Sequence, residues 1–117
     1  MKYMLLIYSD PDGWSDPTEA EALMGEYMAF TQGIIESGEF SAGDPLQARD
    51  SAVSVRVRAG STTTTDGPFA EAKEHIAGYY VVDVKDIDRA IELAAKIPDA
   101  RKAGIEVRAV MDMGMPA

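Results

Sequence analysis

An α+β sandwich in a single domain is what this 117-residue chain predicts, and three observations carry the prediction. Two apolar runs, Tyr3 to Tyr8 and Tyr79 to Val84, have the length and composition of strands. Two capped segments show apolar residues at three- and four-residue spacing, the mark of helices. The resulting order is strand, helix, strand, hairpin, strand, helix, strand, which is two split β-α-β units of the ferredoxin-like type spanning residues 1–117.

The elements follow in chain order. Tyr3 to Tyr8 is apolar at every position, so both of its faces are expected to be buried, and Ser9-Asp10-Pro11-Asp12-Gly13 ends it as a loop. Asp16-Pro17-Thr18-Glu19 supplies an N-cap, a proline at the first helical position and an early acid. Behind it Leu23, Met24, Tyr27, Met28, Thr31, Ile34 and Ile35 read as one apolar face through to Ser37, with Met24 and Met28 as core filler and Gly38 as the stop. Glu39 to Ala42 reads as a short strand running into the turn Gly43-Asp44-Pro45-Leu46. Val53, Val55 and Val57 alternate with Ser54, Arg56 and Arg58 as in a half-exposed strand, and Ala59-Gly60-Ser61 returns the chain into Thr62 to Thr65. Gly78 opens the strand Tyr79 to Val84, Asp86 caps a helix striped by Ile87, Ala90, Ile91, Ala94 and Ile97, and Pro98 ends it. The last strand runs from Ile105 to Met111.

Two helices cover one face of such a sheet. With both faces of the inner strands apolar, the second face calls for another copy of the same sheet, giving a homodimer of barrel-like form with its sheets face to face. A wide hydrophobic pocket is the competing explanation.

Composition narrows the function classes. The formal net charge is −9, and residues 1–50 hold ten acids against Lys2 and Arg49. Nucleic acid and anionic membranes are therefore poor partners. With no cysteine, disulfides, thiolate nucleophiles and Cys-ligated metals drop out, and no metal or other cofactor is expected. The most apolar N-terminal run, Met4 to Tyr8, is too short for a signal peptide or a membrane span, so a cytoplasmic location is expected.

The densest chemistry lies between Thr65 and Tyr80. Asp66 can serve as a general base or ligand anchor, or can cap its own turn before Gly67-Pro68. Lys73 can neutralise a ligand carboxylate or bridge to Asp66 or Glu71, and Glu74 carries the same ambiguity. Asp66, Lys73 and Glu74 are the candidate catalytic residues. Tyr8, Tyr27 and Tyr79 combine apolar bodies with hydroxyl tips; with Gly43, Leu46 and Phe69 they form the candidate small-molecule-binding set, although core packing explains each tyrosine as well. His75, the lone histidine, is a candidate proton shuttle but has no second ligand beside it.

Thr65-Asp66-Gly67-Pro68-Phe69-Ala70-Glu71-Ala72-Lys73-Glu74, followed by Gly78-Tyr79-Tyr80 and Asp83, resembles the DGPF branch of the YCII-related family. Met1 to Tyr8, Tyr27 to Thr31, Gly43 with Leu46, and Ile105 to Arg108 extend the resemblance along the chain. It implies a dimeric ferredoxin-like fold with a small-molecule cleft in each subunit. Some relatives place a histidine on the first helix facing an aspartate, whereas here Pro17 to Ser37 contains no histidine. Acid-base work is left to carboxylates, tyrosines or Lys73. The expected activity is metal-free isomerisation or elimination on a small organic acid, with a non-catalytic metabolite-binding or protein-interaction module as the alternative.

Overall fold

The computed structural model describes residues 1–10, 14–69 and 75–114. Its elements are β1 (Lys2–Ser9), α1 (Pro17–Glu36), β2 (Phe40–Pro45), β3 (Val53–Arg58), β4 (Ser61–Asp66), β5 (His75–Asp83), α2 (Ile87–Lys96) and β6 (Gly104–Ala109). β2, β5, β1 and β6 lie side by side in that order, every pair antiparallel, which is compatible with the ferredoxin-like arrangement. β3 and β4 form a separate two-stranded sheet between β2 and β5 in the chain.

Local chemistry sets the helix ends. The Asp16 side chain accepts from the Thr18 and Glu19 amides at 2.9 and 3.4 Å and starts α1. At the other end Gly38 takes φ +80°, while Glu39 N–H donates to Ile34 and Gly38 N–H to Ile35, the paired bonds of a Schellman stop. Asp86 caps α2 through the Arg89 amide at 2.9 Å. Pro98 does end that helix, but the chain then winds at once into a 3-10 turn, Pro98–Arg101, which fixes the position of Asp99.

The core lies between the helices and one face of the sheet, built on Tyr3, Leu5 and Ile7 of β1, Tyr80 and Val82 of β5, Ile34 of α1, and Leu93 and Ile97 around α2. The opposite face, carrying Met4, Leu6, Tyr8, Tyr79 and Val81, is half-exposed, so β1 buries one face fully rather than two. Three strand limits also differ from expectation. β2 continues to Pro45 because Gly43, Asp44 and Pro45 still pair with Tyr80, Tyr79 and Gly78. β5 begins at His75, which pairs with Ser9, and β6 stops at Ala109. The valines of β3 stay exposed, because the β3–β4 hairpin stands away from the main sheet instead of packing on it.

One ion pair ties the segment after α1 to α2. Glu39, just before β2, receives Arg89 of α2 at 2.8 and 2.9 Å and the Ser37 hydroxyl at 2.7 Å. The Arg89 guanidinium, helped by Ser37, holds the Glu39 carboxyl down at about 2 from its usual 4.5. A folded-state value below the unfolded one contributes stability that is complete above about 4.5 and disappears as pH falls toward about 2. In urea melts at pH 7 the wild type will exceed Glu39→Gln in midpoint, and that advantage will close by pH 2 to 3; a pH-independent gap would contradict this role for the pair.

Candidate functional site

A cavity of about 480 Å³ opens between α1 and the β2–β5 side of the sheet. That is ample for a small organic molecule. α1 contributes Tyr27 and Thr31, β5 contributes Tyr80, β2 contributes Gly43, the turn after α2 contributes Asp99, and the segment before α1 contributes Trp14. β2 comes close enough to floor the cavity because residue 43 is glycine. A Cβ there would lie 2.7 Å from Cδ1 of Tyr80 and 3.1 Å from the Tyr79 carbonyl oxygen.

Two hydrogen-bond chains define the polar part. Asp99 is 2% exposed; its Oδ2 accepts a short hydrogen bond from the Tyr27 hydroxyl, and its Oδ1 accepts from Trp14 Nε1 at 3.3 Å. The Trp14 and Tyr27 rings lean together with centroids 5.9 Å apart. In the second chain Thr31 Oγ1 donates to the Tyr27 carbonyl at 2.8 Å and lies 2.6 Å from the Tyr80 hydroxyl. A threonine has one proton to give and here gives it to the carbonyl, so Tyr80 is the donor in the second contact. Burial, reinforced by the bond to Asp99, raises Tyr27 far above the ordinary tyrosine value, and burial raises Tyr80 as well. Both phenols therefore remain protonated at neutral pH with their protons already committed. What they offer a ligand is oxygen lone pairs.

No lysine, arginine or histidine is among the described residues that line this cavity; its ionisable members are Asp44, Asp99 and tyrosines. The rest of the wall is apolar or aromatic, including Met24, Met28 and Phe40. Met24 and Met28 are thus not core filler. Both are exposed and stand at the cavity's α1 side, about 100° round the helix from the buried Leu23 and the inward Tyr27. Among the described residues there is also no group of three or more His, Cys, Asp and Glu side chains placed to hold a metal ion.

Of the residues expected at a site, Tyr27, Gly43 and Tyr79 line the cavity. Tyr79 follows the strand alternation onto the open face, where its hydroxyl donates to Asp44 at 2.9 Å. Tyr8 is on that same face, bonded to Glu106 at 3.2 Å, and Leu46 is exposed just beyond β2. Asp66 ends β4 opposite Val53, and Phe69 is exposed beneath the Arg56 guanidinium, 4.3 Å from its ring centroid. These four do not belong to the cavity lining. Lys73 and Glu74 lie outside the described residues. The sequence reading passed over Asp99, Trp14, Thr31 and Tyr80 as site residues. The available signals were the lone tryptophan of the chain and the Pro98-Asp99 pair, proline at the first position of a helical turn followed by an acid.

No helix among the described residues is long and apolar enough to cross a membrane. The sequence matches the YCII-related domain over residues 1–114. It is 33% identical over 103 residues to an uncharacterised protein of Rhizobium meliloti (strain 1021), a match covering 86% of this chain and 82% of that protein. An aspartate facing the first helix is present here, with a tyrosine rather than a histidine opposite it, and the chain belongs to the YCII-related family.

Proposed function

We propose that this protein is a homodimeric, cofactor-independent enzyme that moves a proton on a small, mainly apolar molecule bearing an O–H or N–H group. The observation that supports this best is the buried Asp99 carboxylate, joined to the protonated Tyr27 in a cavity whose described lining carries no cation. A carboxylate ligand would meet lone pairs and the Asp99 carboxylate there, an unfavourable pairing in a low-dielectric site. A neutral or cationic donor meets its complement. This departs from the small organic acid expected from the Lys73 reading, and it moves the acid-base role from Asp66 to Tyr27 and Asp99.

The chemistry is a relay. As the ligand's O–H or N–H proton passes to the Tyr27 oxygen, Tyr27 passes its own proton to Asp99 Oδ2, so the phenol stays neutral and the charge ends on the ligand. Return of the proton from Asp99 through Tyr27 to a carbon of the ligand completes a tautomerisation, and its return by the same route to a departing leaving group completes an elimination. Trp14 holds the other carboxylate oxygen and Thr31 with Tyr80 fixes the opposite wall.

An uncharged aromatic 1,3-diketone supplies a direct test, because its enol absorbs strongly and its relaxation to the ketone is read as an absorbance decay. The protein will accelerate that decay, and a decay equal to the buffer rate, with the diketone bound, would favour the non-catalytic binding module instead.

A further inference from the structure

The turn Asp66-Gly67-Pro68-Phe69 takes no part in the cavity beside α1, yet it is firmly held. Gly67 takes φ +94°, a conformation that strains any residue with a side chain. Its N–H donates to the Ala52 carbonyl at 2.7 Å, and its own carbonyl accepts from the buried Ser54 hydroxyl at 2.6 Å. Both backbone groups of the glycine are thereby tied to the start of β3, and the chain folds back along one face of the β3–β4 hairpin. Phe69 comes to lie under Arg56, whose guanidinium carbon is 4.3 Å from the ring centroid.

The chemistry of that face is of one kind. Strand alternation puts Ser54, Arg56 and Arg58 on the same side as Ser61, Thr63 and Thr65, while the valines and Asp66 take the other. Each of these six side chains is an arginine or carries a hydroxyl, and no strand carboxylate shares the face, in a chain of net charge −9. A cavity of about 200 Å³ lies there, bordered by Ser54, Arg56, Thr63, Thr65, Pro68 and Phe69. That is below the size of a pocket for a whole drug-sized ligand and suits one small charged group. Ser54 and Thr63 spend their hydroxyl protons on the carbonyls of Gly67 and Arg56. The Thr65 hydroxyl and the guanidinium N–H groups of Arg56 have no acceptor among the described residues. A guanidinium held over a ring keeps its N–H groups for an acceptor, and part of the ordering cost of a long side chain is met before any ligand arrives.

We infer that this face of the hairpin binds a small oxyanion of the phosphate type, with Arg56 and Thr65 as its donors and the Asp66 to Phe69 turn as the support that positions Arg56. Arg58 stands two residues along the same strand face, about 7 Å away, and adds a second positive charge. It gives one N–H to the Val57 carbonyl and keeps the others. Two cations and a hydroxyl complement phosphate, which has more than one negative charge at neutral pH and oxygens pointing in several directions, better than they complement a carboxylate. The site shares no lining residue with the cavity beside α1, so it stands or falls apart from the proton-transfer reading.

Inorganic phosphate is the probe. Titrated at pH 7 and constant ionic strength, it will move the amide resonances of β3, β4 and the turn in a saturable way, with a dissociation constant of about 1 mM or below. Arg56→Gln will weaken binding at least about tenfold. Phe69→Leu leaves every donor in place and will weaken it about threefold or more, because Arg56 loses its support. Val55→Thr, on the opposite face, will leave it unchanged, and acetate will bind the wild type at least about tenfold more weakly than phosphate. All three substituted side chains are exposed, and the resonances of the main sheet report that each variant is folded. Shifts that grow linearly without saturation, wild-type affinity in Arg56→Gln or in Phe69→Leu, or acetate binding as tightly as phosphate would overturn the inference.

Discussion

Asp99→Asn will abolish most of the proton-transfer activity, a loss of about 10²- to 10⁴-fold, while ligand binding persists. The amide keeps the shape of the carboxylate but cannot take up a proton at this position, so the relay from Tyr27 has no terminus. The same site has a stability signature. Asp99→Ala leaves the Tyr27 hydroxyl and Trp14 Nε1 without their acceptor in a buried place, at a cost of about 2–4 kcal/mol, most of which Asn recovers because its carbonyl oxygen can still accept one of the two bonds. Urea denaturation separates the two effects. Turnover retained in a folded Asp99→Asn protein would remove Asp99 from the mechanism.

Tyr80→Ala will cost about 3–5 kcal/mol, the largest loss expected from one substitution in the cavity wall. Tyr80 joins core to site: its ring packs edge-on against Phe30 at 5.2 Å and Phe40 at 6.4 Å, and its hydroxyl bonds Thr31 at 2.6 Å. Removing the ring empties the space above Gly43 and detaches α1 from the β2–β5 side of the sheet. Tyr80→Phe keeps the packing and loses one hydrogen bond whose acceptor, Thr31, still donates to the Tyr27 carbonyl, so about 1 kcal/mol is expected. Equal losses in the two variants would mean that the hydroxyl, not the ring, carries the stability.

The fold was legible where local chemistry decides it. Asp16, Gly38 and Asp86 act as the caps that their residue types announce, and the two apolar runs give the central strands, so element order and topology followed. In the cavity lining Gly43, Tyr79 and Tyr27 were legible as site candidates, and the polar centre is built on Tyr27. Its partner Asp99 is 72 positions away along the chain, in a turn where Pro98 signals only that a helix has stopped. Periodicity could not separate Met24 and Met28 from Leu23 and Tyr27 either, since neighbouring rows on a helix share the same three- and four-residue spacing. The exposure of the β3 valines escaped for a related reason. Alternating Val and Arg reads as a strand with one face inward, and nothing in the pattern tells whether the covering surface belongs to the same chain or to another.

Trp14, the lone tryptophan of the chain, borders the cavity and touches both Tyr27 and Asp99, so its emission reports occupancy directly. Titrating the protein with phenol, aniline and benzoate, which share a ring and differ in the group presented, tests the cavity's preference for an uncharged donor over an acid. Saturable changes with phenol and aniline, weakened about five- to tenfold in Tyr27→Phe, and none with benzoate are the predicted result. Benzoate binding as tightly as phenol would contradict it.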